Sequence, residues 1–357
     1  VIIHVILLWI CVTYARQMHV CVDSLVHTFG IFMSELVVGL DLGGTQIRTV
    51  LADAAGKPMA RHSMLTMAHE GPSAVQERIY RAIAAVLPSD GVAAIGVGAP
   101  GPTDPYQGLI LMGPNLPGWR NVNLGELISS RFDTPVFVGN DANLAGLAEH
   151  RYGAGQGVSH MVYITVSTGI GSGVIIDGRM LLGRRGLAAE IGHMTIDVQS
   201  ESSDADKTIV GTLEGLASGP HIAQRAQDAL MAGVQSSVLD LADGELTAVT
   251  PRLLNEAARS GDRFAQAQFE HTGRYLGIGI TNILHIFNPD RIVLGGSVWM
   301  HAQDLMLDTI WATIRDRAQS PEYWQELTIE SAALGDDVGL LGAVALAFDG
   351  LHGTRVA

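Results

Sequence analysis

Residues 36–52 read LVVGLDLGGTQIRTVLA, and residues 161–176 read MVYITVSTGIGSGVII. Each stretch is an apolar, β-branched run, a glycine-rich break and a second apolar run. Two such runs joined by glycines predict a β-hairpin. The break is Leu42-Gly43-Gly44-Thr45 in the first stretch and Ser167-Thr168-Gly169-Ile170-Gly171-Ser172-Gly173 in the second. One hairpin opens each half of the chain, which predicts two lobes related by duplication. The cleft between such lobes is the default place for a ligand.

The rest of the chain fits this frame. Residues 72–87 carry Val75, Ile79, Ile83 and Val86 near helical spacing. Residues 92–98 and 135–138 read as buried strands, and 122–132 and 142–152 as helices. In the second half, helices are expected over 213–231, 251–260 and 263–287, a strand over 291–294, and a final apolar helix over 339–348. Strands alternating with helices predict an α/β fold. The expected organisation is an N-terminal lobe over 34–143, completed by a helix at about 336–350, and a C-terminal lobe over 144–335.

Composition narrows the function. The 357 residues carry 22 Lys and Arg against 36 Asp and Glu, a formal net charge of −14. An acidic chain lacks the basic footprint that nucleic acid requires. The two cysteines, Cys11 and Cys21, lie near the start. This excludes a disulfide framework and a cysteine nucleophile or cysteine-ligated zinc in the main body, and it suggests a reducing compartment such as the cytoplasm.

Residues 1–33 do not conform to the frame. The opening VIIHVILLWICV is twelve residues long, short of the ~20 that span a bilayer. It lacks the charged start and small-residue cleavage site of a secretory signal. Met33 opens MSELVVGLDLGGT, which reads as a natural start. Residues 1–32 are therefore expected to be an over-extended start or an appendage outside the fold, with a weak membrane anchor as the alternative. No stable membrane insertion is expected.

The two glycine breaks suit anionic oxygens. Glycines in a tight turn expose backbone N–H groups. Thr45 adds a hydroxyl donor, Arg48 lies near enough in sequence to add positive charge, and Asp41 could face a phosphate-bound Mg²⁺ through water. An ordinary hairpin turn is the alternative for each. The second break is no dinucleotide fingerprint, because strands flank it on both sides, and no Walker A loop, because no Lys follows the glycines. The pair, one per half, is more specific than either alone. Asn140-Asp141 ends a strand opposite these loops. A carboxylate there can take a proton from a hydroxyl nucleophile, with Asn140 holding the same substrate; Asp141 as a helix N-cap is the plainer reading. Asn115, the Glu190–His193 pair and Glu214 each read as structural when taken singly.

Taken in order, these motifs resemble the ROK family of sugar kinases and repressors, from about Leu36 to Phe348. The resemblance implies a two-lobed actin-like, hexokinase-like (ribonuclease H-like) fold with an interlobe cleft. It implies phosphate contacts at Asp41, Gly43, Gly44, Thr45, Arg48, Thr168, Gly169 and Gly171, and an adenosine-side turn at Gly295-Gly296 within IVLGGSV. It implies sugar contacts from Asn115, Asn140, Asp141, Glu190, His193 and Glu214, with Asp141 as catalytic base. The expected reaction is transfer of phosphate from Mg²⁺-ATP to the 6-hydroxyl of a hexose, with glucose first. N-acetylmannosamine, fructose, mannose and allose are the alternative sugars, and polyphosphate the alternative donor. A sugar-sensing regulator without catalysis is the rival; residues 1–35 are too short for the helix-turn-helix domain of the family's repressors. Homodimers or homotetramers are common among relatives. One feature departs from the family. Its C-x-C-G-x-x-G-C-x-E zinc motif would put cysteines at positions 205, 207 and 212, where this chain has Ala205, Lys207 and Thr212. No zinc is expected, and hydrogen bonding or packing must position His193 instead.

Overall fold

Both faces of the first strand, β1 (Val37–Leu42), are buried, as an unbroken apolar run demands of a strand inside a layered sheet. The computed structural model describes residues 35–198 and 209–353. The readings of residues 1–32, Ala205 and Lys207 therefore lie outside the described residues.

β1 pairs antiparallel with β2 (Gln46–Ala52), which pairs antiparallel with β3 (Pro58–Leu65). After helix α1 (Pro72–Ala84), β4 (Ala94–Ala99) joins β1 in parallel. A small sheet follows, β5 (Thr103–Asp104), β6 (Leu109–Met112) and β7 (Arg120–Asn123), and then α2 (Leu124–Phe132). β8 (Val136–Asn140) joins β4 in parallel and runs straight into α3 (Asp141–Tyr152). The first large sheet has the order β3-β2-β1-β4-β8.

The second half repeats this arrangement. β9 (Met161–Val166), β10 (Ile170–Ile176) and β11 (Arg179–Met180) form the antiparallel portion. Among the described residues, five α-helices follow: α4 (Leu213–Ala217), α5 (Gly219–Met231), α6 (Val238–Leu241), α7 (Pro251–Arg259) and α8 (Arg263–Phe287). Then come β12 (Arg291–Gly295), α9 (Ser297–Ala302), α10 (Leu307–Arg317), β13 (Thr328–Ser331) and α11 (Val338–Leu351). β12 joins β9 and β13 joins β12, both in parallel, so the order β11-β10-β9-β12-β13 matches the first sheet strand for strand. The repeated hairpin is a repeated sheet.

Two helices lie between the sheets. α3 follows a strand of the first sheet and packs on β9 and β10 of the second; α11 follows a strand of the second and packs on β1, β4 and β8 of the first. The two helices also pack on each other. α11 is apolar nearly all round, with Leu340 and the run from Gly342 to Phe348 buried, as a helix enclosed on every side must be.

Several expectations shift. The helix expected over 122–132 starts at Leu124; Val122 belongs to β7, and the Asn123 side chain caps α2 by accepting from the Glu126 N–H. The stretch 213–231 is two helices, broken at Ser218, whose backbone is extended. The returning strand of the second hairpin begins at Ile170, so Gly171 and Gly173 lie in β10 and not in the turn. β3, an edge strand with alternate residues exposed, carries no apolar run and escaped a reading based on such runs. Helix α8 spans the expected residues, capped by the Asp262 side chain and closed by left-handed Asn288.

Candidate active site

The first loop is pinned from behind. Thr66, fully buried, donates its hydroxyl to the Gly43 carbonyl at 2.6 Å and its N–H to the Thr45 carbonyl at 2.8 Å. Thr45 itself is exposed. A Cβ on Gly44 would stand 2.7 Å from the Asn115 Cβ, so the glycine is what lets the exposed Asn115 lie against the loop. Buried Leu116 and Trp119 anchor that Asn115 turn.

Arg48 is placed elsewhere than expected. It faces Asp41 across the β1–β2 ladder. Its guanidinium donates to Asp41 Oδ2 at 2.5 and 3.1 Å and to the Asp336 carbonyl at 2.8 Å. The cation therefore pairs with Asp41 and holds the turn before α11, rather than standing free at the loop. Arg48 bonds to Oδ2, so a cation held by Asp41 would be held through Oδ1. Mg²⁺ characteristically takes one or two carboxylates together with phosphate oxygens and water, so this donor set fits it. Among the described residues, no three His, Cys, Asp or Glu side chains are grouped to hold a metal ion.

Asp141 is the first residue of α3, and the cap is Asn140, not Asp141. Asn140 Oδ1 accepts from the N–H groups of Ala142 and Asn143 at 2.9 and 3.1 Å, and its Nδ2 donates to the Gly101 carbonyl at 3.0 Å. Its amide thus holds the helix start and the Gly101 turn, which leaves one N–H for a substrate. Asp141 accepts from the Ala142 N–H at 2.8 Å. Its pKa is pushed up to about 6, chiefly by burial, which the Ala142 hydrogen bond opposes and the charges of Asp41 and Glu190 assist. Water still reaches the side chain, which screens part of this effect. Carboxylates of β1, α3 and the turn at Ile191 thus lie near enough for their charges to act on Asp141.

Glu190 and His193 are exposed and flank a short turn seated on β10. The Ser172 hydroxyl donates to the Ala189 carbonyl and accepts from the Ile191 N–H. Gly192 lies so close that a Cβ would stand 2.1 Å from the Ile170 carbonyl. The turn is then tied to the segment where the family's zinc motif would lie. Leu213 N–H donates to Met194 O at 2.9 Å, Ile196 and Asp197 N–H donate to Gly211 O at 2.8 and 3.0 Å, and Thr195 bridges Thr212. Backbone hydrogen bonds hold the His193 turn to the start of α4.

Glu214, in the first turn of α4, reaches back to the second hairpin. Its Oε2 accepts from the Ile170 N–H at 2.7 Å, so it braces the second loop from behind. Gly171 is likewise a packing position. A Cβ there would stand 2.7 Å from that of Ala142, so the glycine admits the start of α3 beside β10. Thr168 is exposed on the second loop, beside Gly169.

A cavity of about 550 Å³ opens beside this loop, within the range of small-molecule sites. Thr168, Pro220, Ala223, Pro251, Phe269 and Val298 contribute to its wall. Gly295 and Gly296 are not in that wall. Gly296 has φ +87° and lies so close to β9 that a Cβ would be 2.4 Å from the Val166 carbonyl; this seat puts Ser297 and Val298 against the cavity, with Ser297 bonded to Ser167 at 2.9 Å. The contributions of α5 and α7 escaped sequence reading, since no local motif marks a helix flank as a pocket wall.

The ROK family profile matches residues 37–349. A glucokinase of Thermotoga maritima is 31% identical over 310 residues, covering 87% of this chain and 96% of the relative. A putative xylose repressor of Caldicellulosiruptor sp. is 31% identical over 316 residues, covering 87% and 77%. The crystal structure of a ROK family glucokinase from Streptomyces griseus, in complex with glucose and AMPPNP, superposes with a TM-score of 0.71 at 31% identity, covering 88% of this chain and 99% of that one. The fold is the two-lobed actin-like sugar kinase fold. With two matching sheets, a loop from each hairpin, a profile match over nearly the whole described chain and relatives at 31% identity, this chain belongs to the ROK family.

Proposed function

We propose that the chain transfers the terminal phosphoryl group of ATP to the 6-hydroxyl of a hexose, and that glucose is the hexose. The observation that carries this reading is Asp141, a carboxylate with its pKa pushed up to about 6 at the head of α3, between loops that expose Thr45 and Thr168. A general base works best with a pKa near the operating pH. Asp141 accepts the hydroxyl proton as the oxygen attacks in line. Asn115, Glu190 and His193 hold the sugar, with Asn140 and Glu214 adding a single free amide N–H and carboxylate oxygen. A polyol suits these groups, because an analogue lacking a hydroxyl leaves an acceptor unpaired once the closed lobes have covered it. Thr45, Thr168 and the loop N–H groups of Gly44 and Gly169 cradle the phosphates, whereas the Gly43 N–H, expected there too, closes the hairpin turn by donating to the Gln46 carbonyl at 2.9 Å; the cavity beside Ser297 takes the nucleoside. Mg²⁺ held by Asp41, when bound, supplies charge neutralisation on the transferring group. Closure of the lobes excludes water.

The lobes are assigned as residues 34–143 with about 336–350, and 144–335. The working protein is taken to be cytoplasmic, a homodimer or homotetramer, and independent of zinc and nucleic acid.

The test is ADP release by the full chain with Mg²⁺-ATP, and sugar phosphate formation with polyphosphate as donor, across hexoses and N-acetylhexosamines, with Asp141→Asn as control. Turnover on glucose that falls by about 10²–10⁴-fold in the variant supports the reading. Turnover on another sugar alone keeps the mechanism and changes the substrate. Sugar binding without turnover overturns the kinase reading in favour of a sugar-sensing regulator, which the likeness to the putative xylose repressor favours.

A further inference from the structure

One buried acid in α3 takes no part in this chemistry. Glu149 has no accessible surface. Its Oε2 accepts from the Ala154 N–H at 2.8 Å, both oxygens accept from Ala333 N–H at 2.9 and 3.1 Å, and Oε1 accepts from Leu334 N–H at 3.0 Å. All of these partners are backbone amides.

The amides belong to two distant segments. Ala154 lies where the chain leaves α3 for β9; Ala333 and Leu334 lie where it leaves β13 for α11. The chain passes between the two large sheets at these two places. The second crossing is also gripped from its other side by the first sheet. Arg48 donates to the Asp336 carbonyl, and Arg61 makes a bidentate pair with Asp337 at 2.6 and 2.8 Å.

We propose that Glu149 is the pin about which the lobes close, and so a positioning residue for Asp141. Rigid-body closure needs short segments that absorb the rotation while a fixed point holds them together. A carboxylate that collects amides from both crossings is such a point. Glu149 and Asp141 lie eight residues apart on one helix, about 12 Å at the helical rise. A loosened pin therefore swings α3 and displaces the base, and a displacement of about 1 Å costs roughly 100-fold in rate. The inference rests on the kinase reading and adds a role for a residue outside the sugar and phosphate contacts.

Two variants test it in the full chain. Glu149→Gln replaces an acceptor oxygen by an N–H₂ that faces amide donors. Gly153→Ala reaches the same carboxylate from outside, since its Cβ would stand 2.0 Å from Glu149 Oε2. Small-angle X-ray scattering with glucose and a non-hydrolysable ATP analogue reads closure, calorimetry reads sugar affinity, and steady-state kinetics read kcat. The expected result is sugar affinity within about threefold of wild type, compaction on ligand binding lost or halved, and kcat down roughly 10- to 100-fold. Variants that melt earlier but compact and turn over as wild type does make Glu149 a structural residue and overturn the pin. A wild type that binds and compacts without phosphate transfer sinks the kinase reading alone, with compaction in the variants still deciding the pin. A wild type that compacts with none of the sugars overturns the pin, and its turnover decides the kinase reading separately.

Discussion

Asp141→Asn should stabilise the protein while removing its activity, and the gain should depend on pH. The carboxyl is held at about 6 against an ordinary 3.8. A difference of that size penalises the ionised form by about 3 kcal/mol for a group cut off from water. Water reaches Asp141, so solvent screening reduces the figure to about 1 kcal/mol. The native state binds this proton more tightly than the unfolded chain does. Stability contributed by the group therefore falls as pH rises from about 4 to about 6 and stays low above that. Asparagine carries no charge and still accepts from the Ala142 N–H. The difference between variant and wild type should be near zero at pH 4 and reach about 1 kcal/mol by pH 7, a melting-temperature gain of roughly 1–3 °C. Scanning calorimetry over a pH series, without ligands, measures it. A variant that is no more stable at pH 7 than wild type, or whose gain is the same at pH 4, refutes the claim that Asp141 is ionised at a cost.

Two further changes probe the sugar side. Gly192→Ala puts a methyl 2.1 Å from the Ile170 carbonyl; backbone must move, at about 1–3 kcal/mol, and steady-state kinetics should show the KM for sugar rising more than that for ATP. Thr212→Val removes the acceptor for the Gly215 N–H and the hydroxyl donated to Ile209 O; thermal denaturation should register a loss of about 1 kcal/mol, with a weaker sugar affinity by calorimetry because the His193 turn is tied to this segment.

Local signals carried much of the site. The two glycine breaks are legible because a hairpin needs glycines next to β-branched runs. Asp141 is legible because a strand that ends in Asn-Asp before a helical run has few other shapes. For Glu214 and Arg48 sequence gives neighbours along the chain, whereas the Ile170 N–H and the Asp336 carbonyl that they bond are 44 and 288 residues away. Gly171 was misread because it is two residues from a true turn and looks like part of it. The cavity wall on α5 and α7 left no trace, since Pro220, Ala223 and Pro251 are ordinary helix-start and core residues until α8 and α9 pack beside them.

By itself, then, the sequence determined what depends on short-range chemistry: the α/β class, the duplicated hairpins, the extents of β9 and α8, and the candidate base. Tertiary structure alone decided what depends on where distant segments meet. It turned Arg48 from the loop to Asp41, made Asn140 the cap and Asp141 the first helical residue, and set Glu149 across both crossings between the sheets. The physical reason is the range of the forces. Propensity and hydrophobic period act within a few residues, whereas a buried carboxylate finds its partners only after the sheets have closed around it.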